Sequence, residues 1–260
     1  MGRQPAPHTA PVLQAGEHWR SVELLSDLHL QAGDPATFAV WRDYLQTTSA
    51  DAVFILGDLF EAWVGDDAAC EPGFAAECAA VLRAASAQRP LYFLHGNRDF
   101  LVGPALAASC GFTLLQDPTV LAFGTGRWLL THGDALCLAD TEYLAFRAQV
   151  RNPIWIAGFL SRPLAEREAL ARQMRDASEA RHQTVLNPAD VDPTLARLWL
   201  EAASAPMMIH GHTHRPAEHD LGGGHLRVVL SDWDARATPP RQQVLRLSAS
   251  GRHTRIDLTA

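Results

Sequence analysis

The chain has 260 residues, of which 47% are hydrophobic, and its formal net charge is -7 at pH 7. A chain of this size buries a large core, which favours one globular domain over a small binding module, and the negative charge argues against a general nucleic-acid binder. All 22 basic residues are arginine, so chemistry that needs a lysine is excluded.

The amino-terminal segment is the first feature along the chain. Residues 1–19 contain three prolines and no apolar stretch of the kind that a signal peptide needs. We predict a flexible tail over 1–19 and a single domain over 20–260. No run of eighteen apolar residues follows, so a membrane-spanning helix is not expected. The four cysteines lack C-x-x-C spacing, which is typical of reduced thiols in a cytoplasmic protein.

Short apolar runs bounded by turn-forming residues predict six buried strands. They are VELLS (22–26), AVFIL (52–56), LYFLH (91–95), RWLLT (127–131), MMIH (207–210) and LRVVL (226–230). Helical patterns at about 35–48 and 73–88 separate the first three runs, which predicts βαβ crossovers. Between about 140 and 205 strand patterns disappear and prolines interrupt the helical ones, so a helical insertion is predicted. Hairpin-like strands after Leu226 predict a second sheet packed on the first.

A polar cluster follows each of five predicted strands, at the end where an open α/β sheet presents its loops to ligands. The clusters contain Asp27 and His29, then Asp58, then Asn97 and Arg98, then His132, and finally His212 and His214. Any one of them is common in turns and helix caps. Burying the charged and polar side chains of all five clusters without partners would cost folding free energy, and bound cations would remove that cost.

The residue types narrow the choice of cation. Carboxylates, imidazoles and one amide, without a thiolate, favour Mn(II), Fe(II), Zn(II) or Co(II) over Cu(I) or Ca(II). Seven donors divide naturally over two ions bridged by one carboxylate, an arrangement that clamps phosphoryl groups. Two divalent ions held by two aspartates keep a net positive charge for an anionic substrate. The pattern therefore indicates a phosphoester-cleaving site.

These clusters, in this order from Asp27 to His214, resemble the signature of the calcineurin-like metallophosphoesterases. The resemblance implies an α/β fold, a four-layer sandwich of two mixed sheets flanked by helices. It assigns the ligands of the two ions as Asp27, His29 and His214 for one, Asn97, His132 and His212 for the other, and Asp58 as the bridge. It also implies catalytic roles for Asp58, Asn97, Arg98 and His132.

The residue after Asn97 is informative. Many members of the superfamily place there a histidine that is thought to protonate the leaving oxygen, whereas this chain has Arg98. A guanidinium binds phosphate in a bidentate manner and donates no proton at neutral pH. Because a phosphate monoester leaves without protonation far more easily than an alkoxide, Arg98 favours pyrophosphate cleavage.

Four longer segments resemble the UDP-2,3-diacylglucosamine diphosphatases of lipid A biosynthesis: GDLFEAWVGDD (57–67), HGNRDFL (95–101), THGDALC (131–137) and IHGHTHRP (209–216). The similarity implies that a metal-bound hydroxide attacks the UMP-side phosphorus of UDP-2,3-diacylglucosamine. The products would be UMP and 2,3-diacylglucosamine 1-phosphate (lipid X), and the cofactor two Mn(II) ions per chain. The implied substrate contacts are Asn97, Arg98, Asp140, Ser178 and His212. The segment SEARHQT (178–184) departs from the family, which usually has an asparagine followed by a lysine there.

The insertion combines basic and apolar residues. Its first part has Arg147, Arg151 and Arg162 and no acidic residue between 143 and 165, together with Ile154, Trp155, Ile156, Phe159 and Leu160. Such a combination is typical of a peripheral membrane contact, and the alternative is that the apolar residues dock on the core. With the lipid-linked substrate, it predicts a monomer on the cytoplasmic face of the inner membrane that binds no nucleic acid.

Two other functions stay open. A dinuclear phosphoesterase acting on a soluble nucleotide needs no apolar insertion near its site. A non-enzymatic scaffold would have lost metal ligands, whereas every ligand position is filled here. The neighbouring residues His95, His210, Asp99 and Asp134 are expected to support the ligands or the turns and not to bind metal themselves.

Overall fold

The computed structural model describes residues 10–182 and 189–259, and the side chains of all of these except 176–182. Within them the strands are β1 (Val12–Gln14), β2 (Ser21–Leu25), β3 (Ala52–Ile55), β4 (Leu91–Leu94), β5 (Thr113–Leu115), β6 (Thr119–Phe123), β7 (Gly126–Leu130), β8 (Met207–His210), β9 (Glu218–Gly222), β10 (His225–Val229), β11 (Gln243–Ser248) and β12 (His253–Asp257). The α-helices are α1 (Pro35–Thr47), α2 (Phe74–Ser86), α3 (Pro104–Cys110), α4 (Thr141–Val150), α5 (Pro153–Leu160), α6 (Leu164–His182) and α7 (Pro193–Ala203). The six predicted strands and both predicted crossover helices are present.

The first sheet has the order β12-β11-β2-β3-β4-β5, and its strands β2 to β5 are parallel. Its central strands are buried on both faces, which explains their continuous apolar sequences. Leu25 and Ile55 contact the helices on the outer face, while Leu24 and Phe54 face the other sheet. Helix α1 begins at Pro35, where the Asp34 carboxylate accepts a hydrogen bond from the Thr37 amide at 3.3 Å.

The second sheet has the order β1-β6-β7-β8-β10-β9 and mixes parallel and antiparallel pairs. Leu130, Ile209 and Val228 pack against the first sheet in the core between the two. On the outer face, Leu195 and Leu200 of α7 join a separate core with Met208 of β8. The four layers are the helices on the outer face of the first sheet, the two mixed sheets, and α7 on the outer face of the second sheet. The predicted four-layer sandwich is therefore confirmed.

Two predictions about the ends of the chain are wrong. The tail predicted over 1–19 is ordered from residue 12, because β1 pairs in parallel with β6 and Trp19 is buried in the core between the sheets. Residues 1–9 of that prediction lie outside the described residues. The prediction that the strands after Leu226 build the second sheet is wrong for β11 and β12. β10 does belong to that sheet, but β11 pairs antiparallel with β2 and extends the first sheet.

The predicted insertion over 140–205 is helical, as α4 to α7. Only α4, α5 and α6 are additions to the sandwich, because α7 is its outer layer. Arg167 fastens α6 to the body through hydrogen bonds to the carbonyl of Val64 and the carboxylate of Asp67. None of the described helices is both long and apolar enough to cross a bilayer.

Candidate metal centre

The seven predicted metal ligands all lie in loops that follow parallel strands: Asp27 and His29 after β2, Asp58 after β3, Asn97 after β4, His132 after β7, and His212 and His214 after β8. The carboxyl ends of parallel strands meet at one edge of a sheet. Since the two sheets pack face to face, their loops converge at that edge and bring the seven side chains together.

The backbone of these loops is strained at the donors themselves. Six non-glycine residues in the described chain have a positive φ, and five of them are predicted ligands: Asp27 (56°), His29 (49°), Asp58 (52°), His212 (67°) and His214 (52°). A side chain in this conformation costs on the order of 1–3 kcal/mol, and such strain clusters at functional sites. The sequence contains no local signal for it.

Two glycines permit the loops to approach each other. A Cβ atom at Gly96 would lie 2.1 Å from Asp58 Oδ1, and one at Gly211 would lie 2.2 Å from Asp27 Oδ2. Any side chain at either position would therefore displace a carboxylate. This close approach requires glycine both before Asn97 and before His212.

The first donor group consists of Asp27, His29 and His214. His214 Nε2 lies 3.4 Å from Asp27 Oδ1 and 3.2 Å from His29 Nε2. Asp27 is fixed by hydrogen bonds from Ser26 Oγ at 2.6 Å and from the His212 amide at 3.0 Å. One ligand atom from each of the three side chains lies within 4.8 Å of the others, so they form a group that could hold a metal ion.

The second donor group consists of Asn97, His132 and His212. Asn97 Oδ1 lies 3.0 Å from His132 Nε2 and 2.8 Å from His212 Nδ1. His132 Nδ1 donates to the carbonyl of Leu56 at 2.9 Å, which fixes the ring and turns Nε2 toward the site. Three donor atoms thus converge on one position.

Asp58 lies between the two groups. Its Oδ2 is 3.9 Å from His29 Nε2 and 3.7 Å from His132 Nε2, one ring from each group. Its Oδ1 accepts the Arg98 amide at 2.8 Å. Asp27, Asp58 and His132 also form a group of their own whose ligand atoms lie within 4.8 Å. Carboxylate, imidazole and amide donors at these separations fit divalent transition metals.

The buried ionisable groups of the cluster shift one another's pKa values. Burial opposes a charge on His132, but the carboxylates of Asp58 and Asp27 outweigh it and raise the pKa of His132 to about 9. Burial and the neighbouring His132 lower the pKa of His212 to about 4. Burial alone would raise the pKa of Asp27, yet hydrogen bonding to His214 and the nearby imidazoles hold it below its usual range. The buried carboxylates of this cluster require a positive charge beside them, which bound divalent cations would supply.

Glu61 joins the predicted metal ligand His29 to Arg98. Its Oε2 lies 3.2 Å from His29 Nδ1, and its Oε1 lies 3.4 Å from Arg98 Nη1. The Arg98 side chain is about one-fifth exposed, so solvent reaches part of it. The GDLFE segment contains Glu61, but its two contacts depend on how three loops fold together, and sequence reasoning missed them.

Asp99 and Asp134 support the loops, as expected. Asp99 accepts hydrogen bonds from the amides of Leu59 and Gly96, both at 2.8 Å, and so joins the loops after β3 and β4. Asp134 is buried two residues from His132 and accepts hydrogen bonds from Arg147 Nε at 2.7 Å and from the hydroxyl of Tyr143. The first helix of the insertion is thereby anchored beside the second donor group.

Two substrate contacts are predicted in the insertion, Asp140 and Ser178, and the structure describes the side chain of Asp140 alone. Asp140 caps α4, and its Oδ1 accepts the Tyr143 amide at 3.0 Å. The Tyr143 ring lies 5.9 Å from that of His212, so Asp140 begins the helix nearest to the donors. Ser178 belongs to α6, and its side chain lies outside the described residues, as does the segment 178–184 that departs from the family pattern.

Relatives of known name match the chain over most of its length. A UDP-2,3-diacylglucosamine hydrolase from Xanthomonas axonopodis pv. citri is 45% identical over 247 residues, which cover 87% of this chain and 95% of that protein. One of the same name from Bordetella pertussis is 44% identical over 237 residues, covering 88% of this chain and 92% of that protein. Among solved structures, Vps29 from Entamoeba histolytica complexed with zinc aligns over 92% of this chain and 99% of that one, with 15% identity and a TM-score of 0.46.

The family profile of the calcineurin-like phosphoesterases matches residues 22–216. That range contains all seven donors and the three added helices. With the profile match and the identities to named relatives, the chain belongs to the calcineurin-like phosphoesterases and, within them, to the UDP-2,3-diacylglucosamine hydrolase family.

Proposed function

We propose that this protein hydrolyses the pyrophosphate bond of UDP-2,3-diacylglucosamine to UMP and 2,3-diacylglucosamine 1-phosphate. The observation that carries the proposal is 45% identity to hydrolases of that name over 87% of the chain. The geometry supports the same reaction, since the predicted donors lie beside Arg98, whose guanidinium binds phosphate and does not protonate a leaving group.

The donor set fits two metal ions. We propose that Asp27, His29 and His214 hold one, that Asn97, His132 and His212 hold the other, that Asp58 bridges them, and that both are Mn(II) in the cell. When bound, such ions polarise phosphoryl oxygens and make water a better nucleophile. The described donors include no thiolate, which agrees with a metal that prefers oxygen and nitrogen ligands.

The residues of the chain bind and orient the diphosphate. Arg98 pairs with the phosphate oxygens through its planar guanidinium, and Asn97 and His212 contact the same group. The oxygen of a water molecule bonds to the UMP-side phosphorus and gives up a proton to solvent, while the bond from that phosphorus to the bridging oxygen breaks and its electron pair leaves with the sugar 1-phosphate. Because that leaving group is stable as an anion, no side chain has to protonate it.

The insertion supplies the contacts to the lipid half of the substrate. We assign Asp140 and Ser178 to the sugar, on the family resemblance and on the position of α4 beside His212. Trp155 stacks on Phe159 at a centroid distance of 5.0 Å, and both join the core that α5 covers. These rings attach α5 to the helix side of the first sheet and leave its opposite face open for the acyl chains of the substrate.

The exposed face of α5 supports a membrane contact. Ile154 is 84% exposed, Leu160 is 39% exposed, and no charged residue lies between Pro153 and Leu160. Arg147 and Arg151 do not contribute to this face, because they bond to Asp134 and to the carbonyl of Gly96. Arg162 is about half exposed and lies 3.9 Å from the equally exposed Glu166, so it adds little net positive charge to this face. We propose that this face rests on the cytoplasmic side of the inner membrane while the protein acts as a monomer without nucleic acid.

The test is the release of UMP from UDP-2,3-diacylglucosamine in mixed micelles by the purified protein with Mn(II). Soluble nucleotides and UDP-sugars without acyl chains serve as competing substrates. The expected result is efficient hydrolysis of the lipid substrate and slow hydrolysis of the others. Activity confined to soluble nucleotides would overturn the proposal in favour of a nucleotide phosphoesterase.

A further inference from the structure

A polar cavity opens beside the first donor group. Its volume is about 450 Å³, and it lies between the loop after β2 and the segment that connects β10 to β11. The residues that matter for its chemistry are His29, Gln31, Asp34, Asp232, Arg236 and Arg241. No residue from α4, α5 or α6 lines it within the described part of the chain, so it is separate from the insertion.

The lining of this cavity disfavours both an acyl chain and an additional phosphate. Arg241 lies 3.0 Å from Asp232, and Arg236 lies 3.2 Å from Asp34. With Asp234 also present, three carboxylates face two guanidinium groups, so the cavity has no surplus positive charge for an anion. A neutral ligand rich in hydroxyl and amide groups fits such a lining. The volume lies within the range of roughly 300–1,000 Å³ found for small-molecule sites.

We propose that this cavity receives the uridine of the substrate, an inference that rests on the proposed function. The insertion approaches the donors from the side of Asn97 and His212, whereas the cavity shares His29 with the opposite donor group. A diphosphate lying across both groups therefore directs its sugar toward the insertion and its nucleoside toward the cavity.

Gln31 is the residue that recognises the base. Its side chain is exposed and takes part in no hydrogen bond with the described residues. A carboxamide presents one donor and one acceptor side by side, which complements the O4 and N3–H of uracil. Asp232 can still accept a ribose hydroxyl, because a carboxylate has about four acceptor positions and Asp232 makes three contacts with Arg241.

The test compares UMP with inorganic phosphate as inhibitors of bis(p-nitrophenyl) phosphate hydrolysis by the Mn(II)-loaded protein. Phosphate reports on the donor groups alone, whereas UMP reports on the donors and the cavity together. In Gln31→Ala, the loss of two hydrogen bonds should weaken inhibition by UMP about tenfold and leave inhibition by phosphate unchanged. The matched control is Gln88→Ala, an exposed glutamine after α2 that lines no part of the cavity.

The same variant should raise the KM for UDP-2,3-diacylglucosamine by a similar factor. Equal inhibition constants for UMP in the wild type and in Gln31→Ala would overturn the assignment of the cavity. Failure of the wild-type protein to release UMP from the lipid substrate would instead refute the proposed function, and with it a uridine in this cavity.

Discussion

At the residue scale, the centre depends on side chains whose positions are determined by strained or crowded backbone. His212 and His214 both have positive φ and lie on opposite donor groups, although only one residue separates them. His210, which precedes them, is buried in β8, and its Nδ1 lies 2.8 Å from the Gly211 carbonyl. Three histidines that are equivalent in the motif thus have three different environments.

Asp58 is expected to be indispensable, because its carboxylate lies between the two groups and also accepts the Arg98 amide. Removing an outer partner of a metal ligand typically costs 10–100-fold, so Asp58→Ala should reduce kcat by more than about 100-fold. UMP release and metal content per chain are the measurements. A variant that keeps two ions and a tenth of the activity would contradict the bridging role.

Arg98 is expected to act on the substrate and not on the metals. Arg98→Ala should lower kcat/KM by about 10–100-fold, the value of one or two charged hydrogen bonds, with unchanged metal content. Arg98→Lys keeps the charge but loses the bidentate geometry, so it should recover only part of the loss. Full activity in Arg98→Ala would refute the argument about the leaving group.

Glu61 is expected to hold the ring of His29, since its carboxylate lies 3.2 Å from His29 Nδ1. Glu61→Ala should weaken binding of the first metal ion by about 10–100-fold, measured by calorimetric titration. Glu61→Gln retains a hydrogen-bond acceptor and should recover much of that affinity. Identical metal binding in wild type and Glu61→Ala would exclude this role.

At the element scale, local sequence patterns predicted the buried strands and the crossover helices but not the pairing of the outer strands. Runs such as AVFIL are apolar on both faces, and the helices of the first sheet have clear starts such as Asp34-Pro35. β1 and β5 have only three residues each, too few to show a periodicity. The partner of β11 is β2, more than two hundred residues earlier, and no local pattern encodes that choice.

Local sequence patterns also failed to predict which side chains of the insertion and the site pair with each other. The motif residues could be predicted as donors because their types suit a divalent metal and their order resembles the signature of the family. The arginines of α4 looked like membrane contacts in sequence, yet Arg147 pairs with buried Asp134. Whether a charge faces outward or pairs internally depends on the tertiary structure.

The exposed face of α5 leads to a prediction for membrane binding. Ile154→Ser should reduce sedimentation with vesicles that contain anionic lipid by about tenfold, because the side chain loses roughly 1.5–3 kcal/mol of apolar burial in the bilayer. Val12→Ser is the control, since Val12 is 53% exposed but belongs to β1, far along the chain from the insertion. If Ile154→Ser and Val12→Ser reduced sedimentation with the vesicles equally, binding would depend on the total exposed apolar surface and not on the face of α5.

At the scale of the whole molecule, the metal centre joins the two sheets. Loops from β2, β3 and β4 of one sheet meet loops from β7 and β8 of the other, and the buried Asp27 accepts the amide of His212 across that boundary. Each sheet alone supplies an incomplete donor set. The active site is therefore also a contact between the two halves of the sandwich.

Removing the metal should consequently destabilise the entire fold. Without cations, Asp27 and Asp58 remain buried close together and the attraction between the sheets at that edge weakens. Ions present at 100 times their Kd contribute about 2.7 kcal/mol, which corresponds to a fall in Tm of roughly 5–10 °C on chelation. Differential scanning calorimetry with and without EDTA measures it, and Asp58→Ala should show a much smaller shift. An equal Tm in both states of the wild-type protein would mean that the sheets hold the donors in place without help from the ions.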